Sequence, residues 1–152
     1  MVETGRHDRN DQGFYPPATK EAFRSSVARS RGPLHVGFLV LTEGSELAGV
    51  VNASEIVRGC FQSAYLGYYG FSPFERQGYM TAGITVALKA LFGRHKIHKI
   101  EANIQPDNLA SIRVVQRFGF RYEGLSPRYL KVGGRWRDHQ RWALLTEDFR
   151  LP

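Results

Sequence analysis

An α+β fold, with helices laid on one mixed sheet, is what the sequence predicts, and three observations carry the prediction. Alternating segments rich in Val and Leu come first, a strand-helix-strand-helix succession follows, and two strands close the chain around "VGGR". Strands before the βαβα run and a hairpin after it make the sheet mixed rather than purely parallel.

The elements follow in order. Residues 1–15 have no hydrophobic period and read as an N-terminal arm, and residues 16–152 read as a single domain of ordinary size. "PPATKEAFRSSVARSR" from Pro16 predicts a helix. Pro17 suits its first turn, Ala22, Phe23, Val27 and Ala28 give it an apolar face, and Gly32 and Pro33 end it. "HVGFLVLTEGSELAGVVNASEIV" predicts a hairpin turning at "EGSE", and "SAYLGYYGF" from Ser63 supplies a third strand. Met80, Ile84, Ala87, Leu88 and Leu91 then recur as one stripe of a helix. "KIHKIEANI" from Lys96 predicts a strand with Ile100, Ala102 and Ile104 on one face and Lys99, Glu101 and Asn103 on the other. "PDNLASIRVVQRFGF" predicts a helix capped by Asp107 or Asn108, striped by Leu109, Ile112 and Val115, and stopped at Gly119. The last strands flank the "VGGR" turn.

Bulk properties narrow the function. A 42% hydrophobic and 23% charged composition is that of a soluble globular protein, and no stretch reaches the roughly 18 apolar residues of a membrane span. Residues 1–11 lack the apolar core of a signal peptide, and the single Cys60 cannot form an internal disulfide, so a reducing cytoplasm is expected. Cys60 reads as a small hydrophobe with no base beside it. The histidines lack metal-ligand spacing, so no metal is assigned. Twenty-one Lys and Arg against 14 Asp and Glu give a net charge of +7, which favours an anionic partner: nucleic acid, a ribosome or a phosphorylated cofactor.

One connection carries chemistry. A strand, a short loop and a helix with Gly78 at its start present free backbone N–H groups and a dipole of about half a positive charge to an anion. Glycine there leaves room for a pyrophosphate against the amides. From Gly67, "GYYGFSPFERQGYMTAG" resembles without a gap the acetyl-CoA signature of the GCN5-related N-acetyltransferase (GNAT) superfamily. "EANIQPDNLASIRVVQRFGFRYEG" resembles the strand, Asn-x-x-Ser helix and Gly-Phe turn that follow. "YLKVGGRWRDHQRWALLT" is similar to the C-terminal hairpin of the RimJ/RimL group of ribosomal-protein alanine N-acetyltransferases. The resemblance implies the GNAT fold, a central, mostly antiparallel mixed sheet flanked by helices, whose usual first strand is missing or divergent here.

It also implies acetyl-CoA as cosubstrate and direct attack by an amine. Tyr68, Tyr69 and Gly70 would hold the pantetheine arm, and a main-chain N–H there would polarise the thioester carbonyl. Arg76, Gln77, Gly78, Tyr79 and Met80 would hold the pyrophosphate. Glu75 stands where the family has Gln or Arg, so either Glu75 turns outward and Arg76 answers the phosphate, or the loop shifts by one residue. Asn108 and Ser111 occupy the Asn-x-x-Ser positions, near the pantetheine arm and the sulfur. Glu101 is the expected general base; Ser111 is the first candidate proton donor to the leaving thiolate, and Tyr122 or Tyr129 the second.

Three functions share this frame. The first acetylates a protein N-terminus, with a ribosomal protein as acceptor and contact with the ribosome or rRNA through basic surface. A second acetylates a small amine and predicts an acidic acceptor pocket. The third is a non-catalytic ribosome- or RNA-binding module on the same fold.

Overall fold

The computed structural model describes residues 32–152. The arm, the helix expected from Pro16 and the question of a first strand lie outside these residues. Six strands form one sheet: β1 (Val36–Leu41), β2 (Leu47–Val57), β3 (Ser63–Gly70), β4 (Lys99–Ile104), β5 (Arg121–Val132) and β6 (Arg135–Leu145). Two helices interrupt them, α1 (Tyr79–Gly93) and α2 (Leu109–Arg117). The spatial order is β1-β2-β3-β4-β6-β5, antiparallel throughout except where β3 meets β4. The mixed, mostly antiparallel sheet flanked by helices is thus as the sequence predicts. Among the described residues no helix is long and apolar enough to cross a membrane.

Alternation decides the two faces. Ala64 and Leu66 on β3, Ile100, Ala102 and Ile104 on β4, and Trp142 and Leu144 on β6 are buried in one cluster with Ile84, Leu88 and Leu91 of α1 and Val115 of α2. Full burial of each large aliphatic is worth about 1.5–3 kcal/mol, so this face holds the layers together. Opposite lie Tyr65, Lys99, Glu101, Asn103, His139 and Arg141, the face the period-2 pattern leaves polar.

Local chemistry fixes the connections. Gly133 and Gly134 turn the β5–β6 hairpin with φ of 59° and 74°, the paired positive values a two-residue turn needs. Of the two cap candidates Asn108 serves: its Oδ1 accepts from Ser111 N at 3.2 Å. Gly119, at φ 80°, ends α2.

Two expectations need correction. Leu109 does not join the buried stripe of α2; it is 60% exposed, because it is the first residue of a helix that meets the core from Ile112 onward and is fully buried only at Val115. Cys60 is exposed in the turn after β2 and does not behave as a core hydrophobe.

Candidate active site

β3 and β4 pair over only three residues, Ser63↔Lys99, Ala64↔Ile100 and Tyr65↔Glu101. Beyond Tyr65 the strands part. β3 continues to Gly70 along β2, and β4 continues to Ile104 along β6, so the inner edges of Leu66–Gly70 and Ala102–Ile104 have no ladder between them. Backbone groups freed this way need partners, and an extended ligand laid in the gap supplies them. The gap is a cleft of about 130 Å³ lined by residues of both sheet faces, among them Leu66, Tyr68 and Ser111 on the helix side and Gly67, Asn103 and His139 on the other. It therefore runs through the sheet.

α1 begins beside the far end of β3. Gly78 is its N-cap, with φ 85° and no side-chain cap, and the first intrahelical bond runs from Ala82 N to Gly78 O at 3.0 Å. The amides of Tyr79, Met80 and Thr81 thus precede the first turn's acceptors and are free to bind an anion. A Cβ built on Gly78 meets nothing within 4 Å, so the space over these amides is open. Met80 does structural work as well. Its side chain lies over Gly49 and Gly70, and Gly83 of the same helix sits against Val40, so three glycines let α1 settle close to β1, β2 and β3. Gln77 Nε2 donates to Pro73 O at 3.0 Å and braces the loop. Glu75 and Arg76 are both exposed, Arg76 with φ 60°.

Tyr68 and Ser111 tie the cleft's helix side together: the Tyr68 hydroxyl donates to Ser111 O at 3.2 Å. Burial pushes the Tyr68 phenol up to about 12, against a smaller downward effect of the Ser111 bond. A tyrosine raised in the fold stays protonated while the unfolded chain ionises, so its stabilising contribution is complete below pH 10 and declines as pH rises toward 12. Wild type is expected to lose roughly 1 kcal/mol more than Tyr68→Phe between pH 9 and 11 in denaturant melts; equal losses would contradict the buried phenol.

The polar face carries a row of charges. Lys99 Nζ lies 3.0 Å from Glu123 and 3.4 Å from Glu101, and Arg121 reaches Glu123 at 3.3 Å. Burial alone would lower Lys99 and raise Glu123, but their hydrogen bond and the surrounding charges win, so Lys99 is held above and Glu123 below the ordinary range. Tyr65 is raised, first by its hydrogen bond with Tyr129 and then by burial.

The expected site residues divide accordingly. Tyr68, Asn108 and Ser111 line the cleft, and Gln77–Met80 form the start of α1. Tyr69 and Gly70 pair with β2 at the end of β3 that lies beyond its ladder with β4. Glu101 does not line the cleft and is ion-paired with Lys99. Tyr122 is 49% exposed and packs on Trp142, away from the lining. Tyr129 bonds Tyr65 and stands 6.4 Å, ring to ring, from His139. Asn103, Gln105, Val132 and His139 also line the cleft and are not among the expected site residues. The alternation of "RWRDHQRW" held the signal, since it sets His139 on the same face as Arg141, opposite Trp142.

Residues 5–121 match the family described as Acetyltransferase (GNAT) domain. The chain is 35% identical over 114 residues to the probable N-acetyltransferase YjcK of Bacillus subtilis, covering 75% of this chain and 62% of that protein. It is 39% identical over 104 residues to the ribosomal protein uS5-alanine N-acetyltransferase of Escherichia coli, covering 68% and 54%. The structure of Mycobacterium smegmatis RimJ in complex with CoA-disulfide matches with a TM-score of 0.76 and 31% identity, over 84% of this chain and 62% of that one. The chain thus spans less than two thirds of the length of each of these relatives.

Proposed function

The chain belongs to the GNAT acetyltransferase family, and on that premise we propose that it transfers an acetyl group from acetyl-CoA to an amine, with a protein N-terminus as acceptor. The observation that carries this reading is the through-sheet cleft between β3 and β4, continued by the open amides at the start of α1. Acetyl-CoA fits these residues. The edge of Tyr68–Gly70 offers backbone groups to the pantetheine arm, the amides at Gln77–Met80 suit the pyrophosphate, and the gap leads the thioester to the polar face. Asn108 and Ser111 stand on the cleft wall for the sulfur end. The Ser111 hydroxyl is the proton donor to the departing thiolate, and Tyr129, on the polar face beside His139, is the second candidate.

Acceptor chemistry separates the readings. An α-amino group with a pKa near 8 is about a tenth neutral at pH 7 and asks for little help, whereas a polyamine is strongly cationic and calls for carboxylates. Among the described residues lining the cleft there is no Asp or Glu. The small-amine reading therefore has less support. A ribosomal protein is the proposed acceptor class, on the likeness to the uS5-alanine enzyme and the +7 charge. Exposed Lys131, Arg135 and Arg137 at the β5–β6 hairpin are the proposed contact with rRNA.

Incubation with acetyl-CoA, a panel of peptides with free N-termini and a panel of polyamines tests the proposal by mass spectrometry. The expected result is a gain of one acetyl group at the α-amine of peptides only. Acetylation of polyamines alone would replace the acceptor. No transfer at all, together with salt-sensitive rRNA binding, would favour the non-catalytic module.

A further inference from the structure

We propose that His139 is the catalytic group that takes the proton from the acceptor amine, an assignment that rests on the acetyl-transfer reading above. His139 is 3% exposed and is the one buried polar or charged residue among those described. A buried imidazole is expensive unless something uses or satisfies it. One nitrogen is satisfied: Nδ1 lies 2.9 Å from Arg137 O. A carbonyl only accepts, so Nδ1 carries the hydrogen, and the neutral ring keeps its lone pair on Nε2.

Among the described residues Nε2 has no hydrogen-bond partner, and the only fully buried side-chain polar atom in that condition is Arg141 Nε. Nε2 is therefore not sealed inside the protein, and the space the ring borders is the cleft. Among the described residues lining the cleft, two side chains could in principle take a proton, Tyr68 and His139. Tyr68 is excluded as an acceptor of protons near neutrality, since burial pushes it up to about 12 and its hydroxyl is committed to Ser111 O. Glu101 is excluded by position, being held at Lys99 outside the lining. Histidine is also the side chain suited to proton transfer at neutral pH.

The acceptor enters as an ammonium ion; His139 Nε2 takes one proton, and the freed nitrogen pair forms the C–N bond at the thioester carbon. The C–S bond then breaks with its electron pair on sulfur, which leaves as the thiol after receiving a second proton originating on the amine. The imidazolium returns its proton to water through the open cleft, so each amide formed releases one proton.

His139→Asn tests the assignment, because asparagine keeps an N–H for the Arg137 carbonyl and removes the basic nitrogen. With a peptide acceptor, kcat is expected to fall about 100-fold, the lower end for a general base because an α-amine is already partly neutral. The thermal shift given by acetyl-CoA is expected to persist, which reports folding and cofactor binding separately. His139→Ala is expected to regain about tenfold in kcat with added imidazole, a response that a structural role would not give. A fully active His139→Asn, an alanine variant deaf to imidazole, or a loss of kcat in Glu101→Gln with none in His139→Asn would each overturn the assignment alone. An inactive wild type would overturn the acetyl-transfer reading, and this assignment with it.

Discussion

Gly78→Val is expected to weaken acetyl-CoA binding at least about 100-fold in calorimetry while the unliganded protein stays folded. The two halves of that expectation have different causes. The backbone at Gly78 has φ 85°, which costs a side-chain-bearing residue about 1–2 kcal/mol, a fraction of a typical domain's stability. No protein atom lies within 4 Å of the added Cβ, so nothing in the core is displaced. The new side chain instead enters the open space beside the start of α1, where the pyrophosphate is proposed to sit. In a thermal scan, acetyl-CoA at a hundred times its dissociation constant would stabilise wild type by about 2.7 kcal/mol, a rise of several degrees. At the same concentration a variant bound about 100-fold more weakly would gain only about 0.4 kcal/mol, a rise too small to match wild type. Undiminished affinity in Gly78→Val would remove the start of α1 from the site.

Gly49→Val is expected to act first on stability. A Cβ at Gly49 would come 2.8 Å from Tyr69 O and collide with the Met80 sulfur. The thioether can swing aside, but the carbonyl belongs to a paired strand and cannot. Valine adds two methyl groups to that collision, and overpacking of this kind costs about 3 kcal/mol, roughly 10 °C in melting temperature at this chain length. Because Met80 is the second residue of α1, the forced shift also moves the start of the helix, so acetyl-CoA affinity falls with stability. A melting temperature equal to that of wild type would show that α1 does not rest on β2 through this glycine.

These two glycines also show what could be read in the chain and what could not. The position of Gly78, at a strand-to-helix passage, was visible in the sequence because the α1 stripe and the preceding β3 alternation bracket it. Gly49 was hidden: nothing in "ELAGVV" says that a methionine thirty-one residues later will lie across it. The same divide runs through the site. Asn108 announced itself as a cap, and Lys99 and Glu101 were read onto one strand face, where they prove to be ion-paired. The width of the gap between β3 and β4 depends on where a parallel ladder stops, which period-2 patterning does not encode. His139 was legible as a position on a face, but its burial follows from β6 lying between β4 and β5, a fact of topology. Leu109 failed as a stripe residue because spacing gives the helix face and not the depth at which a helix begins to touch its sheet.

The three-residue parallel seam has a consequence for how the chain folds. On either side of it the strands are joined antiparallel, residues 36–70 in one set and residues 99–145 in the other. The hairpin pairings β1–β2, β2–β3 and β5–β6 close over short stretches of chain, which favours rapid formation, while β4–β6 and the seam each bring together segments separated by a helix, α2 and α1 respectively. The proposed acetyl-CoA cleft is the mouth of that last junction. Its geometry therefore exists only once the two sets have met, and a partial opening along the seam would abolish the cleft while leaving both hairpins intact. Function and cooperativity are concentrated in the same three rungs.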